Sequence, residues 1–97
     1  MTREGILSTL REDADELKRL GAARLFLFGS VARDEAGPGS DVDLFLDFEN
    51  PKFSLVELVA LQRRISGLLK RPADLMTRNS IHSRLRAGIE STAIQVF

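Results

Sequence analysis

Two aspartates, Asp41 and Asp43, stand two residues apart, and a third, Asp74, opens a later apolar run. On a strand, Asp41 and Asp43 leave the same face with Cα atoms roughly 6–7 Å apart. Like charges that close disfavour each other's ionisation, and a divalent cation is their natural relief. Hard oxygen ligands suit Mg²⁺, which fills its octahedron with water and phosphate oxygens. With Asp74 alongside, three carboxylates could hold two cations roughly 4 Å apart, the clamp used for in-line phosphoryl displacement. Gly29-Ser30, ten residues ahead of Asp41, supplies the other half. Glycine lets a phosphate approach the backbone, a helix N-terminus offers free N–H groups, and Ser30 adds a hydroxyl. Arg33, one turn further on, could meet a triphosphate oxygen.

Each piece alone has a plainer explanation. Gly-Ser before a helix is usually a turn and a cap. Asp-x-Asp beside Gly37-Pro38-Gly39 is common strand-start chemistry. Arg33 could be solvated, and Asp74 could pair with Arg71 or Arg78. Asp47 reads as a surface residue. The conjunction is what points to phosphoryl chemistry, because competing motifs fail. There is no Gly-x-x-x-x-Gly-Lys-Ser/Thr loop and no dinucleotide fingerprint. Phe45 and Leu46 rule out a calcium loop starting at Asp41. Ser30, Asp41 and His82 lack the nucleophile elbow of a hydrolase triad; His82 reads as a polar position early in the last helix.

The elements that must position these residues follow from periodicity. Ile6, Leu7, Leu10, Ala14, Leu17 and Leu20 predict one leading helix, closed by Lys18, Arg19 and Gly21. Arg24–Phe28 predicts a buried strand, and 31–36 a short helix with Ser30 near its N-cap. Gly37-Pro38-Gly39 is a turn. Residues 41–48 alternate, with Val42, Leu44, Leu46 and Phe48 toward the core and Asp41, Asp43, Phe45 and Asp47 opposite. Ser54 and Glu57 have capping-box spacing ahead of a helix running to about Leu69. Residues 72–77 predict a third strand. A helix with Ile81, Leu85 and Ile89 four apart follows, and then a short terminal strand over 93–97. The link between the first two strands is too brief for a sure parallel crossover, so a mixed sheet is expected.

The chain of 97 residues has 43% hydrophobic and 29% charged residues, ordinary globular values. One domain over 1–97 is expected, too small to carry a separate domain for an acceptor substrate. No cysteine is present, so disulfides and thiolate sites are excluded, and a single histidine excludes a histidine-rich zinc site. No apolar run reaches membrane-spanning length and no secretory signal is visible, so a cytoplasmic protein is expected. Charge is balanced overall but not by half: residues 1–50 hold eleven acidic and six basic residues, 51–97 three and eight. This reads most simply as solvated faces of opposite sign, or more sharply as an acidic cation site beside a basic surface.

Gly29-Ser30, ten residues, then Asp41-x-Asp43-Leu44 resembles the signature of the DNA polymerase β-like nucleotidyltransferase superfamily. With the surrounding Gly-Ser-Val-Ala-Arg-Asp-Glu-Ala and Ser-Asp-Val-Asp-Leu, nearly the whole chain is similar to the minimal nucleotidyltransferase family. The resemblance implies an α/β (α+β) polymerase β-like fold, a small mixed sheet flanked by helices. It implies that Asp41 and Asp43 bind two Mg²⁺ ions and the nucleotide. Asp74 would complete the metal site and help activate an acceptor hydroxyl. Gly29 and Ser30 would hold the β- and γ-phosphates of ATP, with Arg33 and Ser40 as further nucleotide contacts. The implied reaction is attack of a hydroxyl on the α-phosphate, releasing pyrophosphate. Many such proteins resemble antitoxins whose partner is an all-helical HEPN toxin, adenylylated on a tyrosine. A non-catalytic antitoxin, and transfer to a small molecule or RNA end, stand beside this reading, while self-association stays open. Neither a membrane nor a nucleic acid is an expected partner. One departure is Asp34, where the family usually has glycine. Its carboxylate would either oppose the triphosphate or face water.

Overall fold

The computed structural model describes residues 1–37 and 39–97, so the middle residue of the expected Gly37-Pro38-Gly39 turn lies outside the described residues. The chain begins with α1 (Arg3–Glu12), capped by the Thr2 hydroxyl, which accepts from the Gly5 N–H at 3.1 Å. The single leading helix expected from periodicity is in fact two. Asp13, at φ −99° and ψ 12°, separates α1 from α2 (Ala14–Arg19). The Arg64 guanidinium holds its carboxylate at the break with two bonds of 2.7 Å. Both segments still bury Ile6, Leu7, Leu10 and Leu17.

β1 (Arg24–Phe28) runs directly into α3 (Gly29–Ala32). The short helix therefore starts two residues before the expected 31–36, and Ser30 lies inside it rather than capping it. β2 (Val42–Asp47) follows. Ser54 and Glu57 form the expected reciprocal capping box, and α4 (Leu55–Leu69) ends where its apolar stripe ends. The chain closes with β3 (Ala73–Thr77), a single 3₁₀ turn (Arg78–Ser80), α5 (Ser83–Thr92) and β4 (Ile94–Gln95). His82 caps α5, its Nδ1 accepting from the Arg84 N–H at 3.1 Å. Among the described residues, no helix is long and apolar enough to cross a membrane.

The sheet is mixed, in order β3-β2-β1-β4, with β2–β3 parallel and both pairs of β1 antiparallel. Its first face carries Leu25, Leu27, Val42, Leu44, Leu46, Ala73 and Leu75, packed on α1 and α4 through Leu10, Leu61 and Ile65. The second face was expected to be polar, and it is not uniformly so. Phe45 is 1% exposed, stacked on Phe26 at 4.7 Å and tilted against Phe28 at 5.7 Å. Ile81 and, from α5, Ile89 close this second apolar cluster. Each aromatic pair adds about 0.5–1.5 kcal/mol beyond area burial. Alternation on β2 therefore separates two cores, not core from water.

Candidate active site

Cross-strand register makes the site. Phe28, Asp43 and Asp74 occupy one row across β1, β2 and β3, on the second face of the sheet. The next rows are Phe26, Phe45 and Met76, then Arg24 with Asp47. The face thus grades from carboxylates through an aromatic middle to an ion-pair network. Asp43 and Asp74 sit on neighbouring strands, which lie about 4.8 Å apart. Asp41 is exposed in the residue before β2 begins.

Gly29 closes the carboxylate end. Its φ is +74°, a left-handed conformation that side chains resist. A Cβ there would stand 2.4 Å from Asp43 Oδ2, an overlap no packing tolerates. Bare backbone is therefore pressed against the Asp43 carboxylate. Ser30 follows, half-buried, and among the described residues its hydroxyl has no hydrogen-bond partner. Arg33 caps α3 at its C-terminal end, its Nε 3.2 Å from the exposed Glu35 carboxylate. Ser40 enters through its backbone: its carbonyl oxygen accepts from Arg71 Nε at 2.9 Å and from Nη2 as well.

Electrostatics separate Asp43 from its neighbours. Burial holds its carboxyl above the usual carboxylate range, and the charges of Asp74 and Asp41 push it further, against the pull of Arg33. The other two expected aspartates thus both act on Asp43, and the Gly29 turn lies against its carboxylate. A cation would relieve that repulsion. Among the described residues, no three acidic or histidine side chains enclose a metal ion by themselves. An ion here would therefore complete its shell with water and phosphate oxygens, which is how Mg²⁺ binds in phosphoryl-transfer sites. The donor set fits.

Other sequence readings resolve differently. Asp74 pairs with neither expected arginine: Arg71 serves Ser40, and Arg78 bonds Asp47 and Glu90. Asp47 is not a surface residue. Its side chain is 16% exposed and accepts from Arg24 at 3.0 Å and from Arg78 at 2.8 and 2.9 Å. The Arg78 guanidinium also stacks 4.8 Å from Phe26 and 5.0 Å from Phe45. Asp34 adopts φ +58°, which accounts for a glycine being usual there. It lines a cavity with Met1, Arg3 and Ile6 on the helix side. The role of Arg71 was missed. Its only sequence signal is a basic residue just ahead of the Asp74 strand.

A model of the nucleotidyltransferase domain family matches residues 7–95. The chain belongs to that family. This nucleotidyltransferase is 35% identical over 96 residues to the protein adenylyltransferase MntA of Thermococcus cleftensis, covering 98% of this chain and 92% of that one. It superimposes on a solved candidate minimal nucleotidyltransferase with a TM-score of 0.85 at 33% identity, covering 97% and 95% of the two chains. It also shares its fold with one chain of a solved complex, that of the tri-AMPylated Shewanella oneidensis HEPN toxin with MNT antitoxin, at TM-score 0.66 and 15% identity, over 94% and 71%. The mixed sheet flanked by helices is the minimal nucleotidyltransferase fold, and the chain is a nucleotidyl-transferring enzyme.

Proposed function

We propose that this chain transfers the adenylyl group of ATP, with Mg²⁺, to a tyrosine hydroxyl of a HEPN-type toxin and acts as that toxin's antitoxin. The observation that carries the reading is the row of Asp43 and Asp74 laid against the bare backbone of Gly29. The relatives' names add the donor and the partner: one is a protein adenylyltransferase, and the other is an AMPylated HEPN toxin with its MNT antitoxin.

In this reading Asp41, Asp43 and Asp74 hold the metal. Held there, Mg²⁺ would neutralise triphosphate charge and stabilise the charge that develops on the α-phosphoryl oxygens. The Gly29 and Ser30 backbone, with the free Ser30 hydroxyl, grips the β- and γ-phosphates, and Arg33 and Ser40 border them. Asp74, the most open of the row, takes the acceptor's proton. The acceptor oxygen bonds to the α-phosphorus as the bond to the β-phosphate bridge breaks, and pyrophosphate leaves. Asp43 must be ionised for this. Burial and its acidic neighbours raise its proton affinity in the metal-free site, and a bound cation would oppose that rise.

The test is incubation of the chain with Mg²⁺, ATP labelled at the α-phosphate, and the HEPN-type protein encoded beside it. Label on a tyrosine of that protein, lost with Asp43→Asn, is the expected result. Transfer that survives Asp43→Asn refutes the metal assignment. Neutralisation of the toxin without any label refutes catalysis and leaves a binding antitoxin.

A further inference from the structure

An open groove of about 410 Å³ runs along the outer side of the Gly29 turn, away from the helix layer. It is lined by Phe28 and Gly29 on the sheet side and by Leu85, Gly88 and Ile89 of α5, with Arg33 also in the lining. We infer that this groove seats an apolar side chain of the acceptor protein, next to the hydroxyl that receives AMP. The inference rests on the adenylyl-transfer reading above and names the surface through which its protein substrate is held.

Three observations converge. First, α5 presents a stripe at helical spacing, Leu85, Gly88, Ile89 and Thr92, yet the helix has no fully buried residue. Ile89 is half-buried against the aromatic cluster, whereas Leu85 is 61% exposed at the rim. The chain covers only half of the apolar face it built. Second, Gly88 sits inside α5, where glycine weakens a helix relative to alanine. Among the described residues nothing asks for it, since a Cβ there would meet no atom within 4 Å. The methyl would project into free space beside the groove, so the missing side chain benefits an occupant and not the fold. Third, the groove adjoins the reacting centre: Phe28 shares the Asp43 row, and Gly29 touches the Asp43 carboxylate.

The lining selects a protein side chain over a nucleobase. A base must exchange water for hydrogen bonds at its edge, and an unreplaced bond is costly. The Thr92 hydroxyl is turned back onto the Gly88 carbonyl at 3.2 Å, and the interior N–H groups of α5 are spent in the helix. Among the described lining residues Arg33 is the remaining polar side chain, and its Nε is already bonded to Glu35. An aliphatic or aromatic side chain loses nothing in such a site and covers Leu85.

The experiment compares wild type, Gly88→Ala and Leu85→Glu in three measurements. These are melting temperature, the melting shift given by Mg²⁺-ATP, and AMP transfer as a function of HEPN-type partner concentration. Gly88→Ala should melt at or above wild type, because it strengthens the helix and meets no neighbour. Both variants should keep the Mg²⁺-ATP shift and the saturating rate, and raise the KM for the partner by about tenfold, as loss of an interface anchor does. An unchanged KM in both variants overturns the inference. So does loss of the Mg²⁺-ATP shift, which would make the groove a nucleoside seat. If wild type labels no protein, the reaction reading has failed separately, and partner affinity decides the groove. Weaker binding by Leu85→Glu then sustains it, and equal binding overturns it.

Discussion

Gly29→Ala is the substitution whose cost can be worked most fully from the structure. Two penalties add. The residue sits at φ +74°, where an alanine costs about 1–2 kcal/mol. Its methyl would also stand 2.4 Å from Asp43 Oδ2 and 3.2 Å from Asp43 Cβ and Cγ, so the carboxylate must turn off its rotamer at about 0.5–1.5 kcal/mol. The sum is about 1.5–3.5 kcal/mol, or a melting temperature lower by roughly 6–28 °C for a domain of this size. Gly67→Ala is the matched control. It lies in α4 with no atom within 4 Å of a new Cβ, and should stabilise by about 0.5–1 kcal/mol. Urea unfolding of both variants, read beside the Mg²⁺-ATP melting shift, is the assay. Gly29→Ala should lose the nucleotide shift even where it is fully folded, because the displaced group is a metal ligand in the reading above. The cycle with Asp43→Ala should recover the overlap penalty and leave the backbone penalty. A Gly29→Ala protein that unfolds and binds nucleotide like wild type would refute both the conformation and the contact.

Asp34→Gly should stabilise by about 0.5–1 kcal/mol in urea unfolding and leave AMP transfer unchanged, since Asp34 is left-handed and faces the helix-side cavity. Asp43→Asn should lower AMP transfer about a hundredfold or more in a steady-state assay. The same variant without metal should melt above wild type at neutral pH. The Asp43 carboxyl is raised on folding, so its stabilising effect holds at low pH and is lost as pH rises through the raised value. The gap should therefore close below about pH 4. Arg78→Ala should cost about 1–3 kcal/mol, because it strips Asp47 of a two-point partner, frees Glu90 of α5 and uncovers two phenylalanine faces. Arg78 holds Asp47 below the usual carboxylate range, so that contribution is lost on acidification through the lowered value. The variant's pH–stability profile should be flatter there.

What was legible in the sequence was mostly local. The Ser54–Glu57 box and the α4 stripe set that helix's start and end, because both depend on neighbours three or four residues away. The mixed sheet followed from a connection too short for a sure crossover. Of the carboxylate row, the Asp-x-Asp spacing and the glycine turn are local features, but Asp41 lies just outside β2, and the pairing of Asp43 with Asp74 required the β2–β3 register. What was not legible depended on distant partners. Periodicity carries the leading helix through Asp13, but Arg64, fifty-one positions away, holds that residue at a break. Period-two alternation cannot say whether the second face of a strand meets water, so Phe45 read as polar-side until Ile81 and α5 covered it. Asp47 read as surface for the same reason: its two arginines come from β1 and from the turn after β3.

The most direct test of the site is a crystal structure of the chain with Mn²⁺ and a non-hydrolysable ATP analogue, with anomalous scattering used to place the metal. The expected result is metal density among Asp41, Asp43 and Asp74, with the β- and γ-phosphates against Gly29 and Ser30. Metal density elsewhere, or a triphosphate bound away from the Gly29 turn with the three aspartates left free, would contradict it.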